Sequence, residues 1–226
     1  MTKIPLSTLL TLNGGYVDTV GFLALQGLFT AHVTGNFVTL GATVATGSAG
    51  ALPKLLALPV FCVFVLLVRL ISFGFQNRGW PVLRFLLVSK FALLAAAALF
   101  SIHHGLFTDA NSISSLIMGM TLVAAMAIQN ALHRVHLPKS PPSTLMTGTT
   151  TQVMLDIGEI IASRQNDGSG AVYARLKRMS LAVVAFALGC GAGAFVYVLS
   201  PIWCFVPPVC IAALAFVAKT ETAEGG

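Results

Sequence analysis

The sequence predicts an all-α integral membrane protein with six transmembrane helices and two re-entrant or broken polar helices, arranged as two inverted repeats. Three observations lead to this fold class. Only 9% of the 226 residues are charged, whereas a soluble domain carries about 25% charged residues. The mean hydropathy is +0.88. A polar segment with a Thr-Gly pair occurs once in each half of the chain.

The transmembrane helices are predicted from apolar length. A helix needs about 20 apolar residues to cross the hydrocarbon core of a bilayer. The stretches between the apolar segments are too short for a soluble domain, so the lipid bilayer is the expected surrounding of nearly the whole chain. The apolar stretches cover residues 5–28, 54–75, 82–102, 112–133, 178–199 and 201–218.

Two polar segments, 30–48 and 144–163, indicate an internal repeat. Their Thr-Gly pairs begin at Thr34 and Thr147, which are 113 residues apart, half the length of the chain. This offset predicts a first repeat over 1–111 and a second over 112–226, a pattern typical of transporters built from repeats. At the same offset, Thr39, Thr43 and Thr46 correspond to Gln152, Asp156 and Glu159, which form one polar stripe on a helix.

The basic residues predict how the chain is oriented. If the N-terminus is cytoplasmic and both polar segments are re-entrant, the basic loops near 76–84, 133–143 and 163–178 all face the cytoplasm. The loop 103–111, which has no Lys or Arg, then faces the outside. Full crossings by both segments would place basic loops outside, against the usual bias of cytoplasmic loops. The net charge of +6 therefore indicates loop orientation and not nucleic-acid binding.

This orientation has a geometric consequence. Each half contributes three full crossings and one re-entrant segment, so the second half is inverted relative to the first and both termini are cytoplasmic. One polar segment then enters from the outside and the other from the inside. Their tips are expected to meet near the midplane, where inverted-repeat proteins place their substrate sites.

The candidate substrate-binding residues lie at the two Thr-Gly pairs and on the helix before the second pair. Glycine permits a break in a helix, and Thr or Asn can cap a helix that restarts there. The free N–H groups of such a half-helix favour an anion or a polar oxygen. Tight packing through small residues is the alternative. The candidates are Thr34, Gly35, Asn36, Thr147, Gly148, Thr149, Gln129 and Asn130.

Four titratable residues are candidates for proton or ion coupling: Asp18, His32, Asp156 and Glu159. Asp18 lies in the middle of the first predicted span, where a carboxylate is costly and indicates a functional site or a structural hydrogen-bond partner. His32 directly precedes the first Thr-Gly pair, and its imidazole can titrate near neutral pH.

Asp156 and Glu159 share one face of the second polar segment. They can bind a proton or a cation, or they can form an ion pair with Arg134 or Arg164. At an offset of 112 residues Asp18 corresponds to Asn130, so each repeat places an acid or an amide on the helix before its polar segment.

Other features indicate neither an enzyme nor a cofactor. The sequence has no phosphate loop, no HExxH and no nucleophile elbow. The pair His133 and His136 lacks nearby Cys or carboxylate partners, so no metal site is expected. Gly189 and Gly193 form a GxxxG packing face, used either within the bundle or between the protomers of a homodimer.

The motifs together resemble one bacterial membrane family. They are the stretch from Gly15 to Asp18, the residues from Phe29 to Asn36, the triplet Gln129–Ala131 and the run Met146–Thr149. Over nearly the whole chain the sequence resembles the DUF1275, or YoaK-like, family. The resemblance implies a multi-pass protein of the bacterial inner membrane and implies no settled substrate.

The sequence therefore predicts a small proton-coupled secondary transporter of a small anion or a polar solute. Asp18 and Asp156 are the expected coupling charges. A passive aquaporin-like channel is the first alternative, because two half-helices that meet at the midplane also form such pores. A membrane enzyme or a non-transporting scaffold is the second.

Overall fold

The computed structural model describes residues 4–162 and 169–218. Within these ranges the chain forms eight α-helices and one short 3-10 helix, Trp203–Phe205. The α-helices are α1 (Leu6–Ala24), α2 (Gly35–Thr46), α3 (Ala51–Gln76), α4 (Val82–His104), α5 (Ile113–His136), α6 (Met146–Ala162), α7 (Ser169–Leu199) and α8 (Val206–Leu214).

Four helices in the described ranges are long and apolar enough to cross a membrane: α3, α4, α5 and Gly170–Leu199 of α7. At 1.5 Å per residue, each is longer than the roughly 30 Å hydrocarbon core of a bilayer. Large apolar side chains remain exposed on their outer surfaces, for example Leu66 on α3, Leu99 on α4 and Phe195 on α7. A protein that exposes so much apolar surface is expected to be surrounded by lipid.

The last predicted span is not one continuous helix. Instead of a helix over 201–218, the chain forms the 3-10 helix and then α8, because prolines precede and open this segment. The helical part, Trp203–Leu214, is shorter than a full crossing. The segment nevertheless follows α4: the Ser101 hydroxyl donates to the Ile202 carbonyl at one end, and Phe216 lies near Arg84 at the other.

The first helix of each half lies at the centre of the bundle. Most residues of α1 are buried, and so are more than half of those of α5. α1 packs along α7, the third helix of the second half, and α5 packs along α3, the third helix of the first half. Central positions suit these two helices because they carry polar side chains, such as Asn13 and Gln129, that lipid would not solvate.

Glycines bring α1 and α7 into close contact. A Cβ atom at Gly189 would lie 2.1 Å from the Leu12 carbonyl oxygen, and one at Gly193 would lie 3.0 Å from the Tyr16 carbonyl oxygen. From the other helix, a Cβ at Gly15 would lie 2.3 Å from the Phe186 carbonyl oxygen. The GxxxG face is therefore used within the chain, and a homodimer would need a different surface from Gly189 and Gly193.

The two short polar helices pack on the helix that follows each of them, α2 on α3 and α6 on α7. The chain around α2 touches one loop at both of its ends. The Gln26 side chain donates to the Thr108 carbonyl at 2.7 Å, and the Gly50 N–H donates to the Asn111 side chain at 3.1 Å. Both acceptors belong to the loop between α4 and α5, so the segment 26–50 begins and ends beside the same loop.

Candidate functional site

The loop before α2 folds back to the middle of α1, where Asp18 holds it. One carboxylate oxygen of Asp18 accepts the backbone N–H groups of Thr30 at 2.8 Å and Ala31 at 2.7 Å. The Thr30 hydroxyl lies 3.3 Å from the same oxygen. Asp18 is only 5% exposed, and these donors offset the cost of burying its charge.

His32 completes the environment of the carboxylate. Its Nδ1 atom lies 2.6 Å from the second carboxylate oxygen of Asp18. The His32 side chain is 35% exposed, so the acid is buried while its partner reaches open space. The rings of Phe29 and Phe186 contact the imidazole edge-on and fix its orientation. The pair forms an acid–base unit with one accessible member.

The first Thr-Gly pair lies at the start of α2, as predicted, but the N–H groups of Gly35 and Asn36 already have backbone acceptors. The N–H of Gly35 donates to the His32 carbonyl at 2.8 Å, and the N–H of Asn36 donates to the Val33 carbonyl. The Asn36 side chain accepts from the N–H of Phe29 and donates to its carbonyl. These groups therefore close the loop, and the predicted free half-helix amides are not present here.

The loop before α6 is held in a similar way by α5. The Thr144 hydroxyl donates to the Asn130 side chain at 2.7 Å, and the Gln129 amide donates to the Ser143 hydroxyl at 3.1 Å. A Cβ atom at Gly14 of α1 would lie 3.1 Å from the Ser143 carbonyl oxygen, so glycine permits this close approach. Asn130 thus holds the second loop through a side-chain hydrogen bond, as Asp18 holds the first.

Gln129 belongs to a buried polar network. Its amide donates to the Leu10 carbonyl at 2.9 Å, and its oxygen accepts a hydrogen bond from the Lys90 ammonium group. Lys90 is only 1% exposed, so its ammonium group lies inside the bundle. The network links α1, α4 and α5 to the second loop through Ser143.

The second Thr-Gly pair does not lie at the tip of its loop. Because α6 begins at Met146, Thr147 and Gly148 fall within its first turn, on the exposed side. Thr149 is buried and donates its hydroxyl to the Leu145 carbonyl. The structure therefore does not bring these three residues to the first pair, and Thr144 takes that position.

Asp156 is a fully buried member of an ion pair with α7. Arg175 donates from Nη2 to one carboxylate oxygen at 2.7 Å and from Nε to the other at 3.0 Å. Gln152 adds a hydrogen bond at 2.6 Å, and Glu159 lies 3.7 Å from the same guanidinium group. The partner is thus Arg175 rather than Arg134.

Arg164, the other partner considered for Asp156, lies outside the described residues.

A related contact holds α2 on α3, although it is a hydrogen bond to a neutral side chain and not an ion pair. Thr43, which corresponds to Asp156 at the offset of 113 residues, accepts a hydrogen bond at 2.7 Å from the buried ammonium group of Lys54 on α3. In each half a cation on the third helix therefore holds the polar stripe of the second.

A cavity of about 420 Å³ lies where the two loops approach each other, between α3 and α5. His32 and Thr34 line it from the first loop, and Thr144 lines it from the second. Asn130 lies between them, so the cavity gathers three of the predicted site residues. The further polar lining residues are Arg69 on α3 and Arg134 on α5.

The two arginines are the site residues that the sequence analysis did not identify. Arg134 was considered only as a partner for Asp156 and Glu159, and a basic residue near a helix end, such as Arg69 or Arg134, is ordinarily interfacial. Their positions in the sequence could have indicated a site, because Arg69 lies within a predicted apolar stretch and Arg134 directly follows one. The Arg69 guanidinium group is stacked on the Phe73 ring at 4.2 Å, which fixes its position.

Comparisons with known proteins agree with this description. The family described as "Protein of unknown function (DUF1275)" matches residues 6–218. The chain is 30% identical over 164 residues to the UPF0700 transmembrane protein YoaK of Bacillus subtilis (strain 168), which covers 71% of this chain and 70% of that protein. No solved structure matches the chain. The family match over nearly the whole chain confirms the resemblance, and this multi-pass membrane protein belongs to the DUF1275 family.

Proposed function

We propose that this chain is a transport protein of the bacterial inner membrane, a proton-coupled secondary transporter of a small anion. The observation that carries the proposal is the meeting of the two loops over one basic cavity, with His32 on one side and Thr144 on the other. Arg69 and Arg134 supply positive charge there. A site between two internal repeats, near the middle of the bundle, is typical of secondary transporters.

The proposal includes two inverted halves with re-entrant polar segments. The segment 26–50 begins and ends beside the loop between α4 and α5, as a segment that enters and leaves on one side would. The second loop lies at the opposite end of the bundle, because Pro141 lies near Pro5 at the start of α1 and near Arg178. The crosswise packing of first and third helices in both halves also supports a two-fold relation.

Proton coupling is assigned to the Asp18–His32 pair. The carboxylate is buried and the imidazole faces the cavity. A proton that reaches His32 would place an additional positive charge beside the anion, so that anion and proton favour each other's binding. Asp156 has a different role in this proposal, since its bidentate contact with Arg175 makes it a structural ion pair.

A second cavity of about 300 Å³ provides the route from the cytoplasmic side. It lies beside the loop between α5 and α6 and shares Asn130, Arg134 and Leu145 with the first cavity. Lys139 at its rim adds a positive charge that attracts anions. Arg134 can therefore contact an anion in either cavity, and we expect it to control passage between the two cavities.

Labelling of single cysteines tests the orientation. In a variant without the native cysteines, Cys at positions Ser48 and Thr108 is expected to react with an impermeant maleimide added from outside intact cells. Cys at Lys139 and Ala174 is expected to react only from the cytoplasmic side, in inverted vesicles. All four positions are exposed in the structure. If the positions of Lys139 and Ala174, which flank α6, label from different sides, α6 completes a crossing and the re-entrant arrangement is wrong.

A transport assay tests the function. The purified protein is placed in liposomes that contain a fluorescent pH indicator, and sodium nitrate, lactate or phosphate is added outside. Uptake of at least one anion with a proton is expected to acidify the interior. Arg134→Gln and His32→Gln are expected to lower the rate at least tenfold, whereas Arg78→Gln, in an exposed turn outside the cavity, should leave it unchanged.

The same assay separates the alternatives. Anion flux that does not saturate and does not move protons would favour an aquaporin-like channel. Absence of flux for all three anions, with a fixed partner retained in purification, would favour a membrane scaffold or an enzyme. Equal rates for Arg134→Gln and Arg78→Gln would exclude the cavity as the transport site.

A further inference from the structure

The cavity between the two loops is lined by two sets of side chains of unlike chemistry, the apolar wall and the polar wall. Both sets come largely from α3 and α5. The apolar wall consists of Phe61, Val65, Val68, Ala131 and Val135. The polar wall consists of His32, Arg69, Asn130, Arg134 and Thr144.

The polar wall selects for negative charge. The lining includes two guanidinium groups and an imidazole, and no Asp or Glu lines the cavity among the described residues. Asp18 lies behind His32 and is already bonded to backbone amides, so it does not face the ligand. A guanidinium group offers paired donors that match the oxygens of a carboxylate or a sulfonate.

The apolar wall selects against small hydrated ions. An inorganic anion that binds here loses water on the side of Phe61 and Val65, and those side chains offer no hydrogen bond in exchange. An alkyl or aryl group would instead be favoured there, by about fourfold in affinity for each buried methylene. At about 30 Å³ for each water-sized group, the volume holds on the order of a dozen non-hydrogen atoms.

We propose that the cavity binds a small organic anion, with its charged head at Arg69 and Arg134 and a short apolar body against α3. This substrate class rests on the proposed transport function and narrows it. It excludes nitrate, phosphate and other inorganic anions as the preferred ligands. The shared chemistry of an anionic head and an apolar body also occurs in anionic phospholipids, which the experiment must distinguish.

Binding of straight-chain alkanesulfonates tests the substrate class. These probes keep their charge at all relevant pH values and do not cross the bilayer as neutral acids. Affinity for the purified protein, measured by calorimetry, is expected to rise about fourfold per carbon from methanesulfonate to pentanesulfonate. Arg134→Gln is expected to weaken binding of every member of the series at least tenfold.

A matched pair of variants locates the alkyl chain. Val65→Thr adds a hydroxyl to the apolar wall with little change of shape and is expected to reduce the gain per carbon. Val63→Thr makes the same change on the lipid-facing side of α3, outside the cavity. This variant should keep the wild-type gain in affinity per carbon. The substrate class would be overturned if the two variants showed the same gain in affinity per carbon. It would also be overturned if the wild-type affinity did not depend on chain length.

The outcomes separate this inference from the transport proposal. If nitrate or lactate moves with protons and Arg134 is required, but chain length has no effect, transport stands and the organic class is wrong. If no anion binds to the protein or is transported, the transport proposal and the substrate class are both wrong.

To identify a lipid, the alkanesulfonate series is repeated in phosphatidylcholine nanodiscs with and without phosphatidylglycerol. Loss of pentanesulfonate binding only with phosphatidylglycerol would assign the cavity to a lipid and overturn the inference.

Discussion

Gly189→Ala is expected to abolish the native packing of α1 against α7. The added Cβ would lie 2.1 Å from the Leu12 carbonyl oxygen and 3.0 Å from the Tyr16 nitrogen. These are backbone atoms, so the clash is relieved only if one helix moves away from the other. Overpacking usually costs about 1–3 kcal/mol, and we expect the upper end because α1 is central to the bundle. Gly15→Ala should behave similarly, since its Cβ would meet the Phe186 carbonyl.

Gly191→Ala is the matched control. It lies on the same helix two residues away, and a Cβ there meets no atom within 4 Å. Alanine is also favoured over glycine in a helix by about 1 kcal/mol, so this variant should be at least as stable as the wild type. Thermal unfolding in detergent, followed by size-exclusion chromatography, compares the variants. Equal midpoints for Gly189→Ala and Gly191→Ala would show that the close crossing of α1 and α7 is absent.

Two substitutions of Asp18 are expected to separate folding from transport. Asp18→Ala removes the acceptor of the Thr30 and Ala31 amides and of the His32 ring. Each unpaired buried donor costs on the order of 1–3 kcal/mol, so the first loop should leave the bundle and the protein should unfold or aggregate. Asp18→Asn keeps the shape and one acceptor oxygen for the two amides. It should fold, but with no carboxylate beside His32 it should not couple anion uptake to protons.

The measurements are the midpoint of thermal unfolding and the acidification of proteoliposomes. Asp109→Asn, in the exposed loop between α4 and α5, is the control and should change neither quantity. Wild-type acidification by Asp18→Asn would exclude the proposed proton site. Wild-type stability of Asp18→Ala would instead show that the carboxylate does not hold the first loop.

Apolar length and polar periodicity predicted much of the helical framework. The polar segments 30–48 and 144–163 contain α2 and α6. Within the predicted polar stripes, Thr43 and Asp156 each accept a hydrogen bond from a cation on the next helix. Such patterns are local properties of a helix, so the sequence carries them directly. The helix over 201–218 is shorter than predicted because hydropathy does not register where proline shifts the start of a helix.

The site was predicted less completely because it depends on contacts between distant parts of the chain. The sequence indicated Asp18 because a carboxylate within a membrane span is energetically costly. It indicated Asn130 because this residue corresponds to Asp18 at the predicted repeat offset. It did not show that Thr144, rather than the second Thr-Gly pair, occupies the tip of its loop, since that depends on the hydrogen bond to Asn130. The roles of Arg69 and Arg134 depend on the cavity between α3 and α5, which no local pattern describes.

The glycine-lined crossing of α1 and α7 has a consequence for how the chain is made. Leu12 leaves the ribosome 177 positions before its native neighbour Gly189. At about 5–20 residues per second, this interval is roughly 10–35 s. Until then the polar side chains of α1, including Asp18, lack the cover that α7 provides. Insertion into the bilayer therefore requires that the translocation machinery or α5 shelter α1 until α7 has been synthesised.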